Sequence, residues 1–280
     1  MIEIFQQILE GLSYVFIQRA IVAGCFIALG CASLGVFLVL RRFSLIGDGL
    51  AHVSFATVAI ALLLNAHPMI ISLILVGLVS LLILKLNEKA KVYGDTAIGL
   101  ISSVGIAIGV IITSSFGGFN IDLFSYLFGN ILLLSRLEVI LTIFISLLVI
   151  LIVVLFYHDL FAITFDEDYA RVSGIKVGMV NKILILLTSL IVVLGIKIVG
   201  TMLVSSMIIL PAISALQIMP SFRGTILIAG FLGVISVVIG ILLSYILNLP
   251  SGATIVLINF FIFIILFLFG KLNIIKSKSL

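Results

Sequence analysis

The chain has 280 residues, 64% of them hydrophobic and 9% charged, with a formal net charge of +4 and a mean hydropathy of +1.52. A soluble domain of this length needs about a quarter of its residues charged to coat its surface, so a water-soluble fold is excluded and the outer surface must face lipid. Nor does the positive balance point to nucleic acid, because the basic residues collect between apolar runs, as in the cytoplasmic loops of membrane proteins.

In chain order, residues 1–16 read as an amphipathic helix lying along the membrane interface. Phe5, Ile8, Leu9, Leu12, Val15 and Phe16 share one face, and Glu3, Gln6, Gln7 and Glu10 lie on another. The segment lacks the basic start of a secretory signal peptide, so it is expected to stay attached. Beyond it, residues 20–40, 53–84, 96–121, 139–157, 198–222 and 224–270 contain no Asp, Glu, Lys or Arg. A helix needs about 20 residues to cross the hydrocarbon core, so the longest runs hold two helices each. They break at Asn65-Ala66-His67-Pro68 and at Asn248-Leu249-Pro250-Ser251-Gly252.

The expected fold is an all-α, polytopic transmembrane bundle forming a single domain over 1–280. Nine spans are counted, at about 17–40, 49–64, 68–86, 96–116, 138–157, 181–197, 199–218, 224–247 and 252–271. Eight is the alternative if the join at Lys197–Gly200 lies within one bent helix. Alternating sides puts twelve basic residues on one side and only Arg19, Arg136 and Lys197 on the other. The richer side is therefore the expected cytoplasmic one, with the C-terminus inside. Cys25 and Cys31 point in different directions on the first span and read as packing residues.

The sharpest chemical signal is Arg41-Arg42-Phe43-Ser44-Leu45-Ile46-Gly47-Asp48-Gly49-Leu50-Ala51-His52. Asp48 and His52 stand four apart, one helical turn along a shared face, and a carboxylate and an imidazole so placed can reach one divalent ion. An ionisable residue inside a span is a functional-site hypothesis by default. The structural reading, with Asp48 as a helix cap and His52 against a carbonyl, stays open on spacing alone. Two ligands are too few for a closed site, which suits an ion in transit. Asp95 reads as a cap of the fourth span. His67 is expected to be exposed in an external turn, and His158 to be solvated. Ser205, Ser206 and Pro211 mark an irregular span whose freed carbonyls could face a cavity.

Residues 158–180 form a charged cytoplasmic loop in a chain otherwise poor in charge. Within it, Asp166 to Gly174 reads as a short helix with an Asp cap, acids in the first turn and a glycine after its end. Such punctuation suits a docking element for a soluble partner, against the alternative of a merely solvated loop. No Gly-x-x-x-x-Gly-Lys-Ser/Thr loop is present to cradle nucleotide phosphates, and no His-Glu-x-x-His helix.

These residues resemble the zinc/manganese/iron ABC-importer permeases, over roughly residues 17–272. The match rests on the Leu40-Arg41-Arg42 to His52 block and on Gly94-Asp95-Thr96-Ala97-Ile98-Gly99. It extends to Tyr126-Leu127-Phe128-Gly129-Asn130, Phe165 to Gly174, and Val199 to Ser205 leading to Pro211-Ala212. Asn130 and Ser206 depart from residues common in the family. The resemblance implies a type II ABC importer-like fold in a prokaryotic plasma membrane. It implies a second permease copy, two cytoplasmic ATPase subunits that hydrolyse ATP, and an external metal-binding lipoprotein. No resident cofactor is implied; the divalent metal ion is the transported substrate. Asp48 and His52 would line the route, and Phe165, Asp166, Glu167, Asp168, Tyr169, Ala170, Arg171 and Gly174 would belong to the coupling element. Ala51-His52-Val53-Ser54 is closer to zinc than to manganese permeases. The alternatives are a carrier driven by an ion gradient, and an intramembrane aspartyl protease using Gly47-Asp48 and Gly94-Asp95.

Overall fold

The computed structural model describes residues 10–90, 94–115, 129, 134–201 and 203–278. Most of the expected interfacial helix lies outside these residues, as does the Tyr126–Asn130 block apart from Gly129. The described chain is helical throughout its regular elements: α1 Val15–Leu40, α2 Ile46–Leu63, α3 Pro68–Ala90, α4 Gly94–Ser115, α5 Arg136–Leu155 and α6 Tyr157–Phe165. There follow α7 Glu167–Val172, α8 Val177–Val199, α9 Val204–Leu216, α10 Phe222–Leu247 and α11 Ser251–Lys278.

Helices α1 and α8 form the centre of the bundle. Ala20, Ala23, Gly24, Ala28, Gly30, Ala32 and Gly35 keep α1 thin on several faces, and α5, α8, α9 and α10 all pack against it. Close backbone approach of this kind holds helices together in lipid, where apolar side chains gain nothing by leaving the bilayer. Helices α4 and α11 lie at the periphery, with Leu100, Ile111, Phe261 and Leu268 exposed.

Eight helices among the described residues are long and apolar enough to cross a membrane. The span expected at 199–218 differs. Gly200, at φ 90, ends α8, and the helix that follows has only 13 residues. At about 1.5 Å per residue it covers roughly 20 Å of the roughly 30 Å core. It nevertheless returns the chain across the bundle. Ser251, opening α11, donates its hydroxyl to the carbonyl of Ile198 at the end of α8, 3.3 Å away. Phe222, opening α10, instead lies 5.8 Å from the ring of Phe165 at the opposite end. The expected 158–180 loop is likewise mostly helix, because α6 and α7 run through it as far as Val172 and α8 already begins at Val177.

The same contacts sort the charges. Arg19, whose guanidinium donates to the Leu134 carbonyl, shares one end of the bundle with Lys197 and Glu138, and Arg41 meets Glu167 at the other.

Candidate functional site

Helix α1 stops in a Schellman turn, with Arg42 donating its amide to Val39 and Phe43 to Leu38, at 3.1 and 2.9 Å. Arg42 takes the left-handed position at φ 59, which costs a non-glycine residue about 1 kcal/mol. The reversal sends the chain back into the bundle before α2 starts. Gly35 and Gly47 both abut Ile208 of α9, so the start of α2 is level with a point five residues, about 8 Å, inside the end of α1.

Asp48 is the third residue of α2. The N-cap position belongs to Leu45, which makes no side-chain cap bond, so the carboxylate does not close the helix end. It still sits in the first turn, where the helix dipole favours a negative charge. His52 Nε2 lies 3.6 Å from Asp48 Oδ2, too long for a hydrogen bond, and the side chains are 21% and 45% exposed respectively. Among the described residues neither makes another polar contact. Partly exposed Phe55 and Val58 continue the lane along the helix. The other faces are closed by tight packing: a Cβ on Gly105 of α4 would lie 3.0 Å from the Val53 Cα. A fixed helix thus presents two open donors on one side. An oxygen and an imidazole nitrogen suit a divalent cation. No group of three His, Cys, Asp or Glu side chains gathers anywhere among the described residues.

Ser205 packs on α2 beside Gly47. Its Oγ would be 3.4 Å from a Cβ on Gly47, and it is buried without a hydrogen-bond partner among the described residues. Ser206, half-buried, donates its amide to Leu203. Within α9, Pro211 cannot supply the amide that would reach the Met207 carbonyl. Asp95 is an exposed first-turn residue of α4, one position inside the helix and not before it. His67 is exposed, as expected, and Cys25 and Cys31 are free.

The short helix expected at Asp166 forms as α7. Asp166 Oδ1 accepts the Tyr169 amide at 2.9 Å, and Gly174, at φ 88, closes the other end while the Ile175 amide bonds back to Ala170. Phe165, Tyr169 and Val172 are exposed. Ala170, expected as part of the coupling element, is fully buried: one residue per turn of so short a helix must face the body of the protein. Asp168 points outward, whereas Glu167 turns inward. Glu167 meets Arg171 at 3.2 Å and Arg41 at 3.4 Å, and the Arg41 side chain is only 10% exposed. Burial pulls the Arg41 guanidinium below its ordinary pKa, and Glu167 opposes that pull. Sequence reading missed this tie because its partners stand 126 positions apart.

It also missed Glu138. At the start of α5, Ser135 and Glu138 form a reciprocal capping box, and Lys197 Nζ lies 3.1 Å from Glu138 Oε1. The Ser-x-x-Glu pattern was visible in the sequence; the lysine, on another helix, was not.

A model of the ABC 3 transport family matches residues 13–270. The manganese transport system membrane protein MntC of Halalkalibacterium halodurans is 35% identical over 92% of this chain and 89% of its own. The high-affinity zinc uptake system membrane protein ZnuB of Buchnera aphidicola is 34% identical over 87% of this chain and 94% of its own. Among solved structures, PsaBC from Streptococcus pneumoniae in complex with Fab superposes with a TM-score of 0.84 at 29% identity, over 94% of this chain and 95% of that one.

Proposed function

The chain belongs to the ABC 3 transport family, and from that premise we propose that it is the membrane-spanning permease of an ATP-driven importer of divalent metal ions. The observation that carries the transit site is the Asp48–His52 pair, held one turn apart and starting about 8 Å inside the end of α1, with open coordination on one side. Two donors hold an ion without trapping it, as a site that must release its cargo requires. A second permease copy lines the other side of this route. Manganese and zinc both accept oxygen and imidazole donors, and relatives named for each match, at 35% and 34% identity, so the lean toward zinc from Ala51 to Ser54 gains no support.

ATP hydrolysis falls to separate cytoplasmic subunits, with α7 as the element they push. Its exposed Tyr169 and Val172 offer an apolar anchor, and Glu167 links it to Arg41, seven residues before Asp48. The side bearing α7, Arg41 and Arg223 is then cytoplasmic, as the basic asymmetry suggests, and an external metal-binding protein delivers the ion at the other end.

The test is uptake of radioactive manganese and zinc into vesicles holding the permease with its ATPase. Asp48→Ala and His52→Ala are each expected to abolish uptake while the assembly still inserts and purifies intact. Normal uptake by either variant would remove the transit site from α2. Tyr169→Glu is expected to lower ATPase co-purification; full association would remove α7 from the contact.

A further inference from the structure

A second feature lies on the opposite side of α1 from the α2 lane. Helices α5 and α10 both pack on α1 without closing on each other, and a cavity of about 450 Å³ remains between them. Its floor is Leu29 and Ser33 of α1, and its walls include Val153 and Val154 of α5 and Leu227 and Gly230 of α10. The one hydroxyl in this lining below the mouth is already engaged, since Ser33 donates to the Gly30 carbonyl at 2.9 Å. The groove is therefore apolar along its length. From Arg223 to Gly230 it runs seven residues, about 10 Å, within the roughly 15 Å depth of one leaflet's hydrocarbon.

The mouth is different. Arg223, His158 and Tyr157 meet there, and the Arg223 guanidinium lies 5.1 Å from the centre of the Tyr157 ring. No described carboxylate pairs with Arg223 or His158. Arg223 also occupies the first turn of α10, which has no acidic residue, so the helix dipole adds to its positive field instead of offsetting it. Beside the mouth, Tyr157 joins Phe161, Phe165 and Phe222 in an aromatic cluster, and tyrosine is a residue that marks the level of lipid headgroups.

We propose that this groove binds one anionic phospholipid, its acyl chain along α5 and α10 and its phosphate at Arg223 and His158. An apolar trough alone would accept any lipid. The unneutralised cation at headgroup depth selects a negative one. A second copy is the less suitable occupant, because the open donors of α2 face away from the groove: α2 packs on α3, α4, α8 and α9, while the groove walls pack on α1. The proposal does not depend on which ion the protein moves, so either reading can fail alone.

The test titrates the full chain, purified in a mild non-ionic detergent, with phosphatidylglycerol or phosphatidylcholine and counts bound lipid by native mass spectrometry. One phosphatidylglycerol per chain is expected, in clear preference to phosphatidylcholine. Arg223→Gln is expected to weaken it roughly fivefold, and His158→Gln to weaken it further. Leu227→Trp, at an exposed position on the wall, is expected to exclude the acyl chain without changing the melting temperature. Equal binding of the two lipids, or no loss with Arg223→Gln, would overturn the proposal. Competition by inorganic phosphate would replace it with a free-anion site. Disulfide cross-linking of Leu227→Cys between two copies in native membranes would show that protein covers the groove.

Discussion

Among the described residues, two pairs of ionisable side chains lie in the membrane-spanning helices, and they are built in opposite ways. Glu138 is 7% exposed on its side chain, meets Lys197 at 3.1 Å, and also exchanges hydrogen bonds with Ser135 at a helix start. Asp48 and His52 stand 3.6 Å apart with no described partner beyond each other, and the aspartate is 45% exposed. Every acceptor of the first pair that matters is occupied, so it can fasten α5 to α8 but has little left to offer a ligand. The second pair contributes little to holding helices together and keeps its donors available. Ionisable residues in a membrane are expensive in either case. The difference in saturation separates a clasp from a candidate site.

The largest effect that tests this contrast is on stability. Lys197→Met leaves Glu138 buried without its cation and is expected to destabilise the protein by about 2 kcal/mol, less than for a fully buried pair because the Lys197 side chain is 40% exposed and the capping box survives. Asp48→Asn is expected to change stability by less than about 0.5 kcal/mol. Thermal melts followed by circular dichroism check both. Similar losses for the two variants would erase the distinction.

The next effect concerns the tie between α7 and the approach to α2. Arg41→Gln is expected to lower metal-stimulated hydrolysis and uptake together by about tenfold, the scale of a modest coupling free energy. Metal binding at Asp48 and His52 should persist. The double variant Arg41→Glu with Glu167→Arg is expected to recover most of the loss, which a role for Arg41 independent of Glu167 would not predict. Smallest is the turn itself. Arg42→Gly relieves a left-handed residue at φ 59 and is expected to stabilise by about 1 kcal/mol, with uptake unchanged. A loss of stability there would mean the Arg42 side chain holds something the turn geometry does not reveal.

What could be read from the sequence was what depends on neighbours along the chain. The cap at Asp166, the glycine at 174 and the shared face of Asp48 and His52 are local, and all three appear in the structure. Hydropathy also located the spans, because lipid imposes it on every crossing. It could not show that α9 is short, since an apolar residue facing another helix and one facing lipid look alike. Nor could it place Ala170 inward, join Arg41 to Glu167, or bring His158 beside Arg223, all of which depend on how distant segments pack.

The claim that the open pair is the site is tested most directly by locating the metal. Crystals of the permease with its ATPase, grown with zinc, would be measured at the zinc edge for anomalous scattering. The expected result is a peak within about 2.0–2.2 Å of Asp48 Oδ2 and His52 Nε2, absent from Asp48→Ala crystals. A peak held by other residues, in protein that transports zinc, would contradict it.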